Sequence, residues 1–188
     1  PHMPSTDFAY DPAAWFEGDS TRAHHLPRAE AEALQLAAAQ ARFGALRDRL
    51  PPLDALAAAQ GITVLPSLDA VAPLLYPHGF YKSYPEQCLV EGRYALMTRW
   101  LSRLTTYDLT PVADRDFATM DDWLDALDTQ TPLEMYHSSG TTGRLSFYPR
   151  GKGEVAAAMA QGRMCLPEWF DPPKFRYGDW FFTFIWPS

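Results

Sequence analysis

The sequence is poor in cysteine and in positive charge. Its 188 residues include 2 cysteines, Cys88 and Cys165, which lie too far apart for a metal-ligand pair and are typical of a reducing compartment. We expect both side chains to be small buried apolar groups. The chain has 16 Lys and Arg against 23 Asp and Glu, and it shows no basic stripe that could meet a nucleic-acid backbone. Nucleic acid is therefore excluded as a predicted partner.

Long apolar runs are also missing. The longest apolar stretch, Trp180–Trp186, is far shorter than the roughly 20 residues that a membrane-spanning helix needs. Nothing resembles a signal peptide, and the first three residues, Pro-His-Met, read as an expression scar ahead of a native methionine. These features predict a soluble, cytoplasmic chain with no membrane partner.

Helical patterns fill most of the chain up to residue 130. Residues 1–26 have no period, and they predict an extended N-terminal arm whose Trp15 and Phe16 pack against the rest. Helices are predicted for Pro27–Leu50, for an alanine-rich segment capped by Gly61, for a short segment between Ser67 and Pro73, for Glu86–Leu104 with a bend at Gly92, and from the capping-box-like Thr119 onward. The proline-bounded segment 76–85 is predicted to be a loop.

The pattern changes after residue 130. Leu133–His137 and Leu145–Tyr148 read as two strands joined by a loop, Gly153–Cys165 as a helix, and Trp180–Trp186 as a strongly aromatic strand. So apolar a strand normally has neighbours on both sides, and the chain offers two other good strand candidates. The predicted fold is therefore α/β, with helices followed by a mixed β-sheet. Residues 27–188 are expected to be the N-terminal portion of a larger domain, incomplete at its C-terminus.

The loop between the first two predicted strands carries the sharpest chemical signal. It consists of six small residues in succession: Ser138, Ser139, Gly140, Thr141, Thr142 and Gly143. The glycines allow a tight turn and close approach of a ligand, the hydroxyls can donate to phosphate oxygens, and successive backbone amides can form an anion-binding nest. Arg144 follows directly, and Arg150 and Lys152 come shortly after, so that cations could offset a polyphosphate.

Other catalytic patterns fit the sequence less well. The spacing of a P-loop is absent, because Gly143 is followed by Arg144 and Leu145 instead of Lys and Ser or Thr. His137 and Ser138 are adjacent on a strand and would point to opposite faces, which argues against a nucleophilic pair. The acidic residues near 121–128 are typical of the solvated first turn and face of a helix. The residues therefore indicate no metal site and assign no catalytic side chain.

The residues Tyr136–Gly143 resemble the phosphate-binding motif of the adenylate-forming superfamily, which includes acyl-CoA synthetases, peptide-synthetase adenylation domains and luciferases. That motif usually continues to a Pro-Lys pair, whereas this chain has Arg144-Leu145-Ser146, so the role of the lysine does not carry over. With the upstream Gly61-Ile62 and the loop at Phe80–Pro85, the chain is similar over roughly residues 27–188 to the N-terminal half of phenylacetate-CoA ligases. It is also similar to the acyl-protein synthetases of bacterial luminescence.

The resemblance implies a reaction. The loop would hold the β- and γ-phosphates of ATP together with Mg²⁺, and a small carboxylic acid would attack the α-phosphorus with release of pyrophosphate. The acyl-adenylate would then pass to a thiol, on CoA or on a carrier protein. Lys82 is a candidate contact to the acid or the phosphates, with a solvated or snorkelling lysine as the alternative. The family's catalytic residues would lie downstream of Ser188, so that the chain alone is expected to be inactive.

Two other functions remain open on the sequence. The chain could be a non-catalytic module that binds a partner, or a second copy of itself, through strand addition at Trp180–Trp186. It could also be an acyl transferase of the luminescence type, in which Cys88 or Cys165 accepts the acyl group. A nucleophilic cysteine needs access and a lowered pKa, and neither cysteine has an evident activating partner in the sequence.

Overall fold

The computed structural model describes residues 8–138 and 143–169, with side chains up to residue 165. This part of the chain is mostly helical and contains one two-stranded antiparallel sheet, β1 (Leu133–His137) and β2 (Phe147–Gly151). The α/β class is confirmed at this level. The predicted strand Trp180–Trp186, and with it the mixed sheet, lies outside the described residues. The helices are α1 (Pro12–Trp15), α2 (Ser20–His24), α3 (Arg28–Leu46), α4 (Pro51–Ala59), α5 (Glu86–Val90), α6 (Tyr94–Leu101), α7 (Met120–Gln130) and α8 (Lys152–Trp169).

The N-terminal segment is helical rather than extended, so that part of the prediction is wrong. The carboxylates of Asp11 and Asp19 accept hydrogen bonds from backbone N–H groups three residues on and so cap α1 and α2. The predicted burial of Trp15 and Phe16 is confirmed, because both pack in a small apolar cluster with Met164 of α8. The segment predicted to be an extended arm therefore forms two short helices, each capped by an aspartate.

The first long helix follows the predicted pattern with small changes at its ends. Pro27 stands just before α3 in an extended conformation, and the last turn before Leu50 tightens into a 3-10 helix, Arg47–Arg49. Gly61 caps α4 as predicted, with φ of +65°, while Ile62 N–H donates to the Ala57 carbonyl. The segment after Ser67 is a 3-10 helix, Leu68–Leu74.

The helix predicted for Glu86–Leu104 is two helices, α5 and α6, separated at Gly92. This glycine has φ of +66°, a left-handed conformation that ends α5 instead of bending it. The prediction for α7 is confirmed in detail, because Asp122 N–H donates to the Thr119 hydroxyl and Thr119 N–H donates to the Asp122 carboxylate. Among the described residues, no helix combines the length and apolarity needed to cross a bilayer.

The predicted strand β1 is confirmed at both ends, whereas β2 begins at Phe147, two residues later than expected. In the ladder, Leu133 pairs with Gly151 and His137 with Phe147. One face of the hairpin lies on the main core, which contains fully buried side chains from α6, α7 and both strands: Met97, Leu101, Trp123, Leu127, Leu133 and Phe147. The hairpin is therefore fixed to the helices at its base.

The junction of β2 and α8 is crowded. Tyr107 lies so close to Gly151 that a Cβ atom there would be 2.1 Å from the tyrosine hydroxyl oxygen. Glu154 accepts from the Gly151 N–H and also forms an ion pair of 2.8 Å with Arg42 of α3. Lys152 donates from Nζ to the carbonyl oxygens of Asp128 and Thr131 at the C-terminal end of α7. These contacts tie the end of the hairpin to two helices.

Candidate functional site

The hairpin holds the two ends of the Ser/Thr/Gly loop together. Ser138 N–H donates to the Ser146 carbonyl at 3.0 Å, and Ser146 N–H donates to the Ser138 hydroxyl at 2.9 Å. We call this pair of hydrogen bonds the neck of the loop. The two predicted strands that flank the loop are present and antiparallel. Ser139, Gly140, Thr141 and Thr142 lie outside the described residues, and their predicted phosphate contacts stay predictions.

Arg144 lies at the exit of the loop, directly after Gly143. Its side chain is half-buried, and its guanidinium carbon is 4.5 Å from the centroid of the Tyr84 ring, within the range of a cation–π contact. In the described part of the chain, its buried Nε atom has no hydrogen-bond partner. A buried N–H without an acceptor is costly. The arginine is thus held against the Tyr84 ring, and its buried Nε–H group is unpaired within the described residues.

Tyr84 is a part of this site that the sequence analysis missed. It is 1% exposed, and its hydroxyl donates to the Leu145 carbonyl at 2.9 Å. Its ring meets Phe147 and Trp100 edge-on, at centroid distances of 5.4 and 5.3 Å. The residue stands 60 positions before Arg144, so that sequence spacing gives no sign of the contact. The sequence feature that could have pointed to Tyr84 is its position directly before Pro85 in an aromatic-rich segment.

Lys82 lies in a short 3-10 helix, Phe80–Lys82, within the segment predicted to be a loop. This segment packs on the hairpin through Tyr81, whose ring centroid is 4.8 Å from that of Tyr148 on β2. Lys82 itself is half-buried and lies outside the main core. The structure therefore places Lys82 in a segment that packs beside the sheet, and its contact with an acid or a phosphate stays a prediction.

The outer face of the hairpin is polar and aromatic. The ladder pairs Glu134 with Arg150 and Tyr136 with Tyr148, and alternate residues of a strand share a face. The Tyr136 hydroxyl donates to the Glu134 carboxylate at 2.5 Å, and this hydrogen bond raises the pKa of Tyr136 to about 12, with burial as a smaller cause. Arg150 is exposed on this face. Lys152, by contrast, is bound to the end of α7, so its predicted role beside a polyphosphate is not supported.

The structure does not support the two other kinds of site considered near the loop, a nucleophilic His–Ser pair and a metal site. The His137 Nδ1 atom is 3.1 Å from the Ser138 carbonyl oxygen, while the Ser138 hydroxyl accepts from Ser146, so the two side chains do not form a nucleophile–base pair. Asp122 caps α7, and Asp128 accepts from the Met135 N–H at 2.8 Å. Within residues 8–138 and 143–169, no cluster of three or more His, Cys, Asp or Glu side chains could hold a metal ion.

The two cysteines differ in their surroundings. Cys88 is buried in the main core, as predicted, and this burial removes it as an accessible nucleophile. Cys165 is half-buried rather than fully buried. It lines an apolar cavity of about 190 Å³ between the N-terminal helices and α8. The acyl-transfer alternative can therefore involve Cys165 alone of the two.

No protein-family model, no curated protein and no solved structure matches this chain. The function is therefore argued from the neck, from Arg144 and Tyr84, and from the sequence of the loop.

Proposed function

We propose that this chain supplies the ATP phosphate-binding site of an adenylate-forming acid–thiol ligase. The observation that carries the proposal is the exit of the loop, where the half-buried Arg144 stands next to a run of Ser, Thr and Gly closed by the Ser138–Ser146 neck. A segment rich in glycine and hydroxyl groups, with an arginine held at its end, is suited to an anion with several oxygens. The helices and the hairpin would then form the N-terminal part of the enzyme's large domain.

In the proposed reaction, the loop residues 138–143 donate backbone and hydroxyl hydrogen bonds to the β- and γ-phosphates. Arg144 places a positive charge beside them, and Mg²⁺ accompanies the nucleotide. A small carboxylic acid attacks the α-phosphorus, pyrophosphate leaves, and the acyl-adenylate passes to CoA or to a carrier-protein thiol. The residues of this chain contribute charge stabilisation and positioning rather than covalent chemistry.

The charge of the whole chain makes local cations important. The formal net charge is −7, so the average field of the chain repels a polyphosphate. Arg144 stands at the loop, Arg150 is exposed four residues after the neck, and Lys82 is in the segment that packs on β2. We therefore expect binding to depend on these side chains and to weaken with salt.

The test measures binding of MgATP and of inorganic tripolyphosphate to the chain, and pyrophosphate exchange with a panel of carboxylic acids by an assembled enzyme that contains it. The double variant Thr141→Ala, Thr142→Ala removes two loop hydroxyls, and we expect affinity to fall at least about tenfold because each hydrogen bond to a charged group contributes about 1.5–3 kcal/mol. Thr105→Ala, Thr106→Ala is the matched control, another adjacent pair outside the loop. Equal affinity in both double variants would contradict the proposal.

A single variant examines the proposed contribution of Lys82 in the same assays. If this lysine contacts the acid or a phosphate, Lys82→Ala raises the dissociation constant or lowers turnover while the urea unfolding curve stays unchanged. Unchanged affinity and turnover would leave Lys82 a surface lysine and would remove it from the site.

A further inference from the structure

The strongest unexplained feature is the buried tyrosine beneath the exit of the loop. We propose that Tyr84 is a positioning residue of the phosphate site: its ring fixes the Arg144 guanidinium and its hydroxyl fixes the Leu145 carbonyl, so that the cation is in place before a polyphosphate binds. This inference rests on the proposed function, and it adds a residue that the sequence motif does not contain.

The ring contact determines where the charge lies. The guanidinium carbon is 4.5 Å from the ring centroid, and the Tyr84 ring is itself held between Phe147 and Trp100 in edge-on contacts with interplanar angles of 65° and 72°. A ring packed on two sides in this way cannot turn without disturbing the core. The position of the arginine head group is therefore set by the same core that holds β2.

The hydroxyl contact fixes the main chain. It donates to the carbonyl of Leu145, the residue after Arg144, at 2.9 Å. The next residue, Ser146, forms the neck with Ser138. Three consecutive residues at the exit of the loop are thus each held by a different contact, and Tyr84 makes two of the three.

The contact with Tyr84 does not occupy the N–H groups of Arg144. Stacking on an aromatic ring uses the face of the guanidinium and not its N–H groups, and Nε has no hydrogen-bond partner among the described residues. An arginine that is already immobilised loses less rotamer freedom on binding. The ligand class that fits is an anion with several oxygens, namely pyrophosphate, tripolyphosphate or the triphosphate of a nucleotide.

The test is a double-mutant cycle on the full chain, with MgATP and tripolyphosphate as probes. We expect Tyr84→Leu to weaken binding about tenfold and Tyr84→Phe, which keeps the ring, about threefold. In an Arg144→Ala background, Tyr84→Leu should change affinity by less than about twofold, because the residue that it positions is gone. Tyr94→Phe is the matched control, a buried tyrosine of the same core that stacks on Trp123, and it should leave affinity unchanged.

A spectroscopic readout separates positioning from general stability. The Tyr84 ring should displace the NMR resonance of the Arg144 Nε–H group in the free protein, and this displacement should vanish in Tyr84→Leu and persist in Tyr84→Phe. Should Tyr84→Leu fail to fold, the comparison of Tyr84→Phe with Tyr94→Phe carries the test, and equal affinities overturn the inference.

The outcomes separate the inference from the proposed function. If the wild-type chain binds neither MgATP nor tripolyphosphate, the proposed function fails and the inference fails with it. If it binds both and affinity is insensitive to Tyr84, or if the effects of Tyr84→Leu and Arg144→Ala simply add, the inference alone is overturned.

Discussion

Replacing Gly151 by alanine should destabilise the protein through one steric conflict. The new Cβ would lie 2.1 Å from the hydroxyl oxygen of Tyr107 and 2.6 Å from its Cζ, where ordinary contact begins at 3.4 Å. To relieve the conflict, the tyrosine ring has to move by about 1 Å. That ring packs against the main core, so the movement disturbs other side chains.

Two opposing effects set the expected magnitude. Overpacking of this kind costs about 1–3 kcal/mol. Alanine also restricts the unfolded chain and would by itself stabilise the folded state by about 0.4–1 kcal/mol, since Gly151 is not among the glycines with positive φ. Because the steric cost is larger than the stabilisation from the restricted unfolded chain, we expect the free energy of unfolding to fall by about 1–2 kcal/mol.

Urea titration followed by tryptophan fluorescence measures this change at constant slope. In a Tyr107→Ala background the conflict is gone, so Gly151→Ala should be neutral or stabilising by up to about 1 kcal/mol. Gly44→Ala on α3 is the control, because nothing lies within 4 Å of its added Cβ, and it should stabilise by about 0.5–1 kcal/mol. The reasoning is refuted if Gly151→Ala is as stable as wild type, or equally destabilised with and without the Tyr107 ring.

Two further predictions concern a buried hydrogen bond and a titration. Thr98→Val removes the acceptor of the buried Trp123 indole N–H, which donates to the Thr98 hydroxyl at 2.8 Å, and should lower the free energy of unfolding by about 1–3 kcal/mol; an unchanged urea midpoint would show that the indole finds another partner. The hydrogen bond to Glu134 raises the pKa of Tyr136 from 10.0 to about 12. The stabilisation that this hydrogen bond gives the folded state is therefore present below pH 10 and is lost as the pH rises through about 12. An NMR titration should find this pKa closer to 10.0 in Glu134→Gln, and the same value in both proteins would exclude Glu134 as the cause.

Signals that depend on neighbouring residues could be predicted from the sequence. The capping box at Thr119, the Gly61 cap and the strand Leu133–His137 each follow from a few adjacent side chains, and the structure has them as predicted. Asp11 and Asp19 are local signals of the same kind for the two N-terminal helices, because each caps the helix that follows it.

Contacts between distant residues explain what could not be predicted. The start of β2 shifts to Phe147 because Ser146 N–H bonds to the Ser138 hydroxyl, eight residues away, instead of continuing the ladder. The closeness of Lys152 to the loop in the sequence predicts a cation beside a phosphate, whereas its amine donates to carbonyl oxygens at the end of α7. The contact of Tyr84 with Arg144 depends on packing across 60 positions and leaves no periodic pattern.

The bond from Lys152 to α7 has a consequence for the order of folding. The N-terminal end of this helix is capped by Thr119 and Asp122, which are its own first residues, so that end can form early. The carbonyls of Asp128 and Thr131 at the other end receive the Lys152 amine, which arrives only after the whole hairpin has closed and its loop entropy has been lost. Because this contact needs the closed hairpin, we expect the last turn of α7 to reach its full stability only when the second strand has docked.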